Sequence, residues 1–515
     1  MNGAECLLRT LVANRVDTCF MNPGTSEMQF VSALDRVPAM RSVLCLFEGV
    51  CSGAADGYAR MLRRPAATLL HLGPGLANGL ANFHNARKAY SPVVSVVGQH
   101  TTRHLRHDAP LSADIEAFAR TVSDDVRSVP RAEDIGREAA AAVAAACARP
   151  GQVATMIVPA DLSWCEAGQP AGPSPRAVLA APDPDAVRQA GSLLRSGEPV
   201  GLLLGGSTLL DRGLKLAGQL AAATGARVFA SRYGARLARG GGRFAPLRLP
   251  YFPEAATSAM AGLTHLVLVE CKSPVSFFGY PNHPSSLVPE GCAVHTLAPV
   301  EADGVQALAA LVEECHADCE PEAPNVSPCA LPTGAKLTPD AIGRTLAHLL
   351  PDQAILSDEM VSSGEAVLRH LGGAPSFDLL PVTGGSIGQG LPVAVGAAVA
   401  CPDRKVIALE ADGSSMYTPQ SLWTMARERL DIVVVILANR RYRILDVEME
   451  RTGAGAIGPR ANDMLDLRRP HLDWVKLSEG MGVESSRATT ADEFIAQWTA
   501  AVKQRGPRLI EAVTE

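Results

Sequence analysis

An α/β fold built from three doubly wound parallel-sheet domains is predicted by three features of the chain. Its 515 residues give about three domains at roughly 150 residues each. Short apolar segments with strand character alternate with amphipathic or apolar segments of helical length, the pattern of βαβ units with helices on both sheet faces. Two stretches rich in Pro, Ala and Gly, at 167–184 and 320–332, divide the chain into blocks at 1–166, 185–319 and 337–515.

In the first block, Ala4, Leu7, Leu8, Leu11 and Val12 have helical spacing. A strand at 18–21 leads into Asn22-Pro23-Gly24, and Ser26 with Gln29 reads as a capping box for the next helix. A buried strand is expected at 42–47, ending at Glu48, with a helix over 49–62. Strands at 67–72 and 92–98 flank a helix at about 76–90. The second block opens with a strand at 199–204, the turn Gly205-Gly206-Ser207 and a helix at 209–224, with later strands at 265–270 and 293–297. In the third block, strands are expected at 353–357, 405–409 and 431–437, the last strongly β-branched, and helices at 388–399 and 419–429.

Composition narrows the function. Apolar residues make up 47% and charged residues 19%, which excludes a disordered chain. A net charge of −6 without a basic cluster argues against nucleic-acid binding. No apolar run approaches the ~18–20 residues of a membrane span. Glu5 and Arg9 stand where an export signal would be apolar, and the twelve Cys lack disulfide-framework spacing, so reduced thiols in a cytoplasm are expected. Cys315 and Cys319 read as two thiols one turn apart on a helix; no second pair has zinc spacing.

Three motifs carry chemistry. Asp412, in Glu410-Ala411-Asp412-Gly413-Ser414, ends one strand; Asn439, 27 residues on, ends the next, the spacing of one βαβ crossover. Ligands collect at the carboxyl ends of parallel strands, and these oxygen ligands suit Mg²⁺ holding a diphosphate. The pair alone is equally an Asp-Gly turn and an Asn cap. Thr383-Gly384-Gly385-Ser386-Ile387-Gly388-Gln389-Gly390 is a loop whose glycines let backbone approach a ligand. Phe47-Glu48-Gly49 puts a carboxylate at the end of a buried strand, which is costly without a partner or a task. Alone, Glu48 reads as a dipole-stabilised residue at a helix start.

In this order and spacing, the motifs resemble the thiamine-diphosphate (ThDP) enzymes of the acetolactate synthase, pyruvate decarboxylase and benzoylformate decarboxylase group. Asn22-Pro23-Gly24-Thr25-Ser26-Glu27 and His71-Leu72-Gly73-Pro74-Gly75 are similar to benzoylformate decarboxylase and to acetolactate synthase large subunit-like proteins. The resemblance covers the chain and implies a pyrimidine-binding domain at 1–166, a middle domain at 185–319 and a diphosphate-binding domain at 337–515. By that resemblance Glu48 activates the aminopyrimidine, His71 serves proton transfer, and Gln99 lies near the reacting centre. Asn22, Pro23, Gly24, Ser362, Gly385, Ser386, Ile387, Gly413, Ser414 and Tyr442 contact ThDP. Asp412, Asn439 and the carbonyl of Arg441 hold Mg²⁺, while Ile444 and Glu448 line the substrate pocket.

The resemblance further implies a homodimer with sites between subunits, and a homotetramer as the usual form. The expected reaction is decarboxylation of a 2-oxo acid to an aldehyde. The alternatives are acetolactate synthase-like carboligation, forming or cleaving a 2-hydroxy ketone, and a silent ThDP-binding paralogue. Four departures stand out. Ala411 replaces a glycine, and Arg440 and Arg441 either bind an anionic group or face solvent. The second active-site histidine of benzoylformate decarboxylase has no match: residues 274–281 occupy its region, with His283 displaced. The middle block lacks a convincing FAD loop, so FAD is not expected.

Overall fold

The computed structural model describes residues 1–173, 181–321, 330–334 and 336–514. The two stretches read as linkers, at 167–184 and 320–332, lie partly outside these residues.

Three sheets form. The first comprises β1 (Thr18–Asn22), β2 (Arg41–Leu44), β3 (Ala66–Leu70), β4 (Val93–Gln99), β5 (Asp125–Ser128) and β6 (Val153–Pro159), all parallel, in the order β2-β1-β3-β4-β6-β5. The middle region supplies β7 (Val200–Leu204), β8 (Arg227–Ala230), β9 (Leu237–Arg239), β10 (Leu247–Arg248), β11 (His265–Val269) and β12 (Ala293–Ala298). Five of these make a parallel sheet, β10-β8-β7-β11-β12. β9 leaves it and pairs antiparallel with β14 (Phe377–Pro381) at the edge of the third sheet. The rest of that sheet is parallel, with β13 (Ala354–Glu359), β15 (Val406–Ala411), β16 (Ile432–Ala438), β17 (Glu484–Ala488) and β18 (Arg508–Val513), in the order β17-β18-β16-β15-β13-β14-β9.

β15 and β16 are buried along their length apart from half-buried Ala411, as expected of central parallel strands covered on both faces. The helix Gly390–Ala400 is apolar all round, and all its residues but the last are buried. Such a helix must be enclosed. It packs against Glu48–Leu62, joining the first and third sheets within one chain. Small residues make this contact possible: a Cβ on Gly57 would lie 2.2 Å from the Val393 carbonyl oxygen, and one on Gly396 would lie 1.9 Å from that of Ala54.

Some local expectations are corrected. The strand expected at 42–47 ends at Leu44 and is half exposed, because β2 is the sheet's edge. The capping box at Ser26 and Gln29 does not form. A 3₁₀ turn, Thr25–Glu27, comes first, and Glu27 reaches back to the Gly24 N–H, while Gln29 accepts from Asn2. Cys315 and Cys319 do not share a helix: Gly304–Glu314 ends before them, and the Cys319 thiol is exposed. Among the described residues, no helix is long and apolar enough to cross a membrane.

Candidate active site

Four neighbouring strands of the first sheet, β2-β1-β3-β4, deliver polar residues at their carboxyl ends. Asn22 closes β1, Glu48 opens the helix after β2, His71 follows β3 and Gln99 closes β4. Pro23 and Gly24 continue from Asn22, and a Cβ on Gly24 would fall 2.2 Å from the His71 ring. Glu48 and His71 share a neighbour: a Cβ on Gly75 would lie 3.2 Å from Glu48 Oε1 and 3.5 Å from His71 Cβ.

Glu48 is 8% exposed, and its Oε2 accepts from Asn78 Nδ2 at 3.0 Å. His71 is held by Glu27, a residue that the motif reading passed over. Glu27 Oε2 lies 2.8 Å from His71 Nδ1 and accepts from the Gly24 N–H at 2.8 Å. Burial pushes the Glu27 carboxyl up, against the opposing pull of His71 and the Gly24 N–H. The usable signal was the three-residue spacing from Gly24 to Glu27, which allows the side chain to close back on the turn. Gln99 is turned toward its own chain, with Oε1 accepting the His100 N–H at 2.8 Å.

The glycine-rich loop of the third domain is fixed from the first. Asn85 grips Ser386 twice, donating to its carbonyl at 2.8 Å and accepting from its N–H at 3.2 Å. Asn82 Nδ2 donates to the Gly388 carbonyl at 3.1 Å and to the Gly49 carbonyl at 2.9 Å, linking the loop to the start of the Glu48 helix. His84 Nε2 lies 3.1 Å from the Gly384 carbonyl. Arg60 donates to the Pro381 carbonyl, Thr383 Oγ1 and Gln389 Oε1 while paired with Asp56 at 2.6 Å. From beneath, Glu359 accepts the Gly388 and Gly390 N–H groups, each at 2.5 Å. Gly385 has φ +78°, where a side chain is strained, and a Cβ there would also strike Phe277 at 2.4 Å. Ile387 beside it is half-buried, and Ser362 lies exposed in the turn after β13.

Residues 274–281 thus bring Phe277 to the loop, where a histidine was sought, and His283 is exposed. The aromatic cluster around Phe277 also anchors the helix Arg443–Arg451, which has no fully buried residue. Arg451 lies between the rings of Phe252 and Tyr280, 4.2 and 4.5 Å from their centroids, and pairs with Glu254. Glu448 of that helix accepts from the Tyr280 hydroxyl at 2.8 Å, and Ile444 is half-buried.

Asp412 and Asn439 stand at the ends of the adjacent strands β15 and β16. Asp412 is 2% exposed; it accepts from the Arg440 N–H at 2.6 Å and the Gly413 N–H at 2.9 Å. Burial pushes its pKa up to about 6. The Asn439 amide oxygen, at the neighbouring strand end, accepts the Arg441 N–H at 2.9 Å, and a buried carboxylate with backbone donors only, with such an oxygen on the next strand, suits a divalent cation. Among the described residues, no group of three His, Cys, Asp or Glu is placed to hold a metal, so the remaining protein ligands would be neutral oxygens such as the Asn439 amide and the Arg441 carbonyl. Ser414 donates to the Ala411 carbonyl, and the Tyr442 ring covers Gly413, where a Cβ would lie 2.6 Å from it.

Ala411 has φ −85°, so its methyl strains nothing in the backbone. The Arg441 carbonyl accepts the Arg443 N–H at 2.8 Å, and its guanidinium is engaged by Asp446 and Asn462. Of the two readings of that arginine, neither a free anion-binding group nor a solvated one describes this internal ion pair.

Comparison with known proteins accords with this geometry. The model of the thiamine pyrophosphate enzyme N-terminal TPP binding domain matches residues 1–119, and that of the C-terminal TPP binding domain matches residues 368–512. A Mycobacterium tuberculosis protein named as an acetolactate synthase large subunit, IlvX, is 51% identical over 100% of this chain and 99% of its own. Benzoylformate decarboxylase of Pseudomonas aeruginosa is 29% identical, covering 97% of this chain and 96% of its own. The solved structure of the thiamine diphosphate-dependent 4-hydroxybenzoylformate decarboxylase of Rhodococcus jostii RHA1 superposes with a TM-score of 0.86 at 26% identity, over 100% of this chain and 99% of that one. The chain belongs to the thiamine pyrophosphate enzymes and is a ThDP-dependent enzyme of the decarboxylase and acetolactate synthase type.

Proposed function

We propose that the protein decarboxylates a 2-oxo acid and returns a proton to the same carbon, releasing an aldehyde. The observation that carries this reading is the Glu27–His71 pair beside Glu48. When bound, ThDP supplies the electron sink for the carbon that loses CO₂. Glu48 exchanges a proton with the aminopyrimidine. Glu27 takes the Nδ1 side of His71 and leaves Nε2 to face the reacting carbon. Asp412, Asn439 and the Arg441 carbonyl hold Mg²⁺, and Gly413, Ser414 and Tyr442 hold the diphosphate. Ser362 approaches the diphosphate as well. Gly385, Ser386 and Ile387, with Asn22, Pro23 and Gly24, orient the pyrimidine half. Gln99, Phe277, Ile444 and Glu448 shape the substrate space.

We take 1–166 and 337–515 as the pyrimidine- and diphosphate-binding domains and 185–319 as the middle domain. Dinucleotides bind by pyrophosphate at such strand–turn–helix glycines. Here Glu270 already takes the Ser207 N–H and hydroxyl and the Gly304 N–H, which supports a reading without FAD. By the family resemblance we take the site to lie between two subunits, Glu48 coming from one and the proposed Mg²⁺ ligands from the other, in a homodimer or a tetramer of two such pairs, in the cytoplasm.

The test is CO₂ release from a panel of 2-oxo acids with ThDP and Mg²⁺, with aldehyde and acyloin products assayed. Release of CO₂ and aldehyde, abolished in Glu48→Gln, is expected. Carboligation, favoured by the 51% identity to the IlvX-named protein, predicts 2-hydroxy ketone instead. No turnover despite ThDP-dependent stabilisation would leave a silent ThDP-binding protein.

A further inference from the structure

The space beside the glycine-rich loop is far larger than a short 2-oxo acid needs. A cavity of about 1550 Å³ takes in Thr383 and Gly384 of the loop, Phe277, Tyr251, Arg232 and Lys272. Pockets of about 300–1,000 Å³ already hold drug-sized ligands. One wall is aromatic and starts at the loop itself. The Phe277 ring lies against Gly385, where a Cβ would meet it at 2.4 Å. The Tyr251 ring is 5.4 Å from that of Phe277, and Arg232 Cζ is 6.0 Å from the Tyr251 ring centre. A line of contacts thus leads from Gly385 to a guanidinium two rings away.

That guanidinium is half-buried and, among the described residues, has no hydrogen-bond or ion-pair partner. Its surroundings add charge of the same sign. The Arg232 carbonyl accepts from Arg248 Nε and Nη2 at 3.2 and 2.9 Å, which fixes a second guanidinium next to it. Burial pushes Arg248 down to about 9, and the charge of Arg232 adds to the shift. Lys272, exposed and unpaired, faces the same cavity. The acids are spent elsewhere. Glu270, the one acid among the described residues lining the cavity, takes the Ser207 and Gly304 N–H groups. Asp358 lies 3.9 Å from Arg248, and Glu448 takes the Tyr280 hydroxyl at 2.8 Å. Arg441 is no substitute for Arg232, because Asp446 already pairs with it. A partly desolvated guanidinium is costly without an anion and is shaped to grip one with two N–H groups.

We propose that Arg232 selects a 2-oxo acid whose apolar or aromatic body lies along Phe277 and Tyr251 and whose far end carries a second anionic group, a carboxylate, phosphonate or sulfonate. The inference rests on the decarboxylase reading and names its substrate class. The chemistry is unchanged: the bond to the 2-oxo carboxylate breaks, CO₂ leaves, and one proton is taken up at the same carbon. The distal anion stays on the aldehyde. Arg232 holds the end of the molecule that does not react, so it sets specificity rather than catalysis.

The experiment compares kcat/KM of the holoenzyme for matched pairs: 2-oxooctanedioate against 2-oxooctanoate, and 4-carboxyphenylpyruvate against phenylpyruvate. A charge-assisted pair is expected to favour the doubly charged member by about thirtyfold. Arg232→Gln is expected to abolish that ratio, and Arg232→Lys to keep part of it. The ratio is a readout that a merely structural loss, which lowers both members alike, does not move. Equal turnover of the two members, or a preference that survives in Arg232→Gln, would overturn the proposal.

Calorimetry with unreactive probes gives an independent reading. Suberate is expected to bind the ThDP- and Mg²⁺-loaded protein more tightly than octanoate, and Arg232→Gln to remove the difference. A wild type that decarboxylates no 2-oxo acid counts against the decarboxylase reading. The calorimetric comparison then decides the anion subsite alone: a difference that depends on Arg232 supports it, and equal or absent binding of the two probes overturns it.

Discussion

Two buried polar clusters brace the same glycine-rich loop, and they are built on opposite principles. On one side, Asp56 and Arg60 have fully buried side chains, and every partner they need is in place. Arg60 forms a bidentate pair with Asp56 and donates to Pro381, Thr383 and Gln389, while Ser91 donates to Asp56. On the other side, Glu359 and Glu410 are paired in register on β13 and β15, two carboxyls on neighbouring strands. Glu359 is served by backbone N–H groups, yet burial still pushes it up to about 7. Glu410, with Oε1 unpartnered, is pushed well above the usual range by burial and by Glu359. The first cluster is a finished clamp. The second crowds two carboxyls that are both pushed above the usual carboxylate range.

The comparison breaks most readily at Arg60. Arg60→Ala strands a buried carboxylate, a change that costs about 3–5 kcal/mol. The expected result is a large drop in Tm and loss of ThDP-dependent stabilisation. Asp56→Asn with Arg60→Met, which removes both charges, should recover much of the Tm. A single variant as stable as wild type would show that the clamp is dispensable.

Asn85→Ala tests the clamp more gently. It removes two hydrogen bonds to Ser386, each worth about 0.5–1.5 kcal/mol. Because they pin the loop rather than a core, ThDP affinity measured by calorimetry is expected to fall about tenfold while Tm shifts by only a few degrees. An unchanged affinity would separate loop order from cofactor binding.

The carboxyl pair answers to pH. Below about 4.5 Glu359 is protonated in both the folded and unfolded chains. Between 4.5 and about 7 the folded protein keeps the proton and the unfolded chain does not. Stability therefore falls as pH rises through that window, by at most about 1.4 kcal/mol per pH unit for one group, and levels off above it. Asp412, raised from 3.8 to about 6, adds to the same slope in the absence of a cation. Thermal unfolding of the apo protein from pH 5 to 8 is expected to show this decline. Glu410→Gln removes one carboxyl and should flatten it, raising Tm at pH 8 by a few degrees. A variant with the wild-type slope would show that Glu410 does not act on Glu359.

The parts of this site that could be read in advance are those set by apolar strand runs. Asp412, Asn439 and His71 directly follow such runs, whereas Glu48 opens a helix beyond the end of β2 at Leu44. Asn85 and Arg60 were illegible, and Glu27 was legible only as a carboxylate closing its own turn, because their partners are distant in sequence: 44 residues separate Glu27 from His71, 301 separate Asn85 from Ser386, and 321 separate Arg60 from Pro381. Glu359 did carry a signal, a carboxylate at the end of an apolar strand, the same feature that singled out Glu48. The departure of β9 to another sheet was invisible for a different reason. Three residues paired at a distant edge leave no periodicity to read.

The smallest effect is expected at Ala411, where the resemblance implies a glycine and the extra methyl looks most threatening in sequence. Its φ of −85° and ψ of 146° are open to any residue, and its carbonyl, not its methyl, does the local bonding by accepting from Ser414 and Ser415. Ala411→Gly therefore gains no room that the backbone lacks, and it adds chain entropy worth about 0.5–1 kcal/mol to the unfolded state. ThDP affinity is expected to change by less than about threefold, with a slightly lower Tm. A tenfold gain in affinity would mean that the methyl meets the diphosphate directly. The Asp412 turn, rather than the loop clamped by Arg60 and Asn85, would then limit cofactor binding.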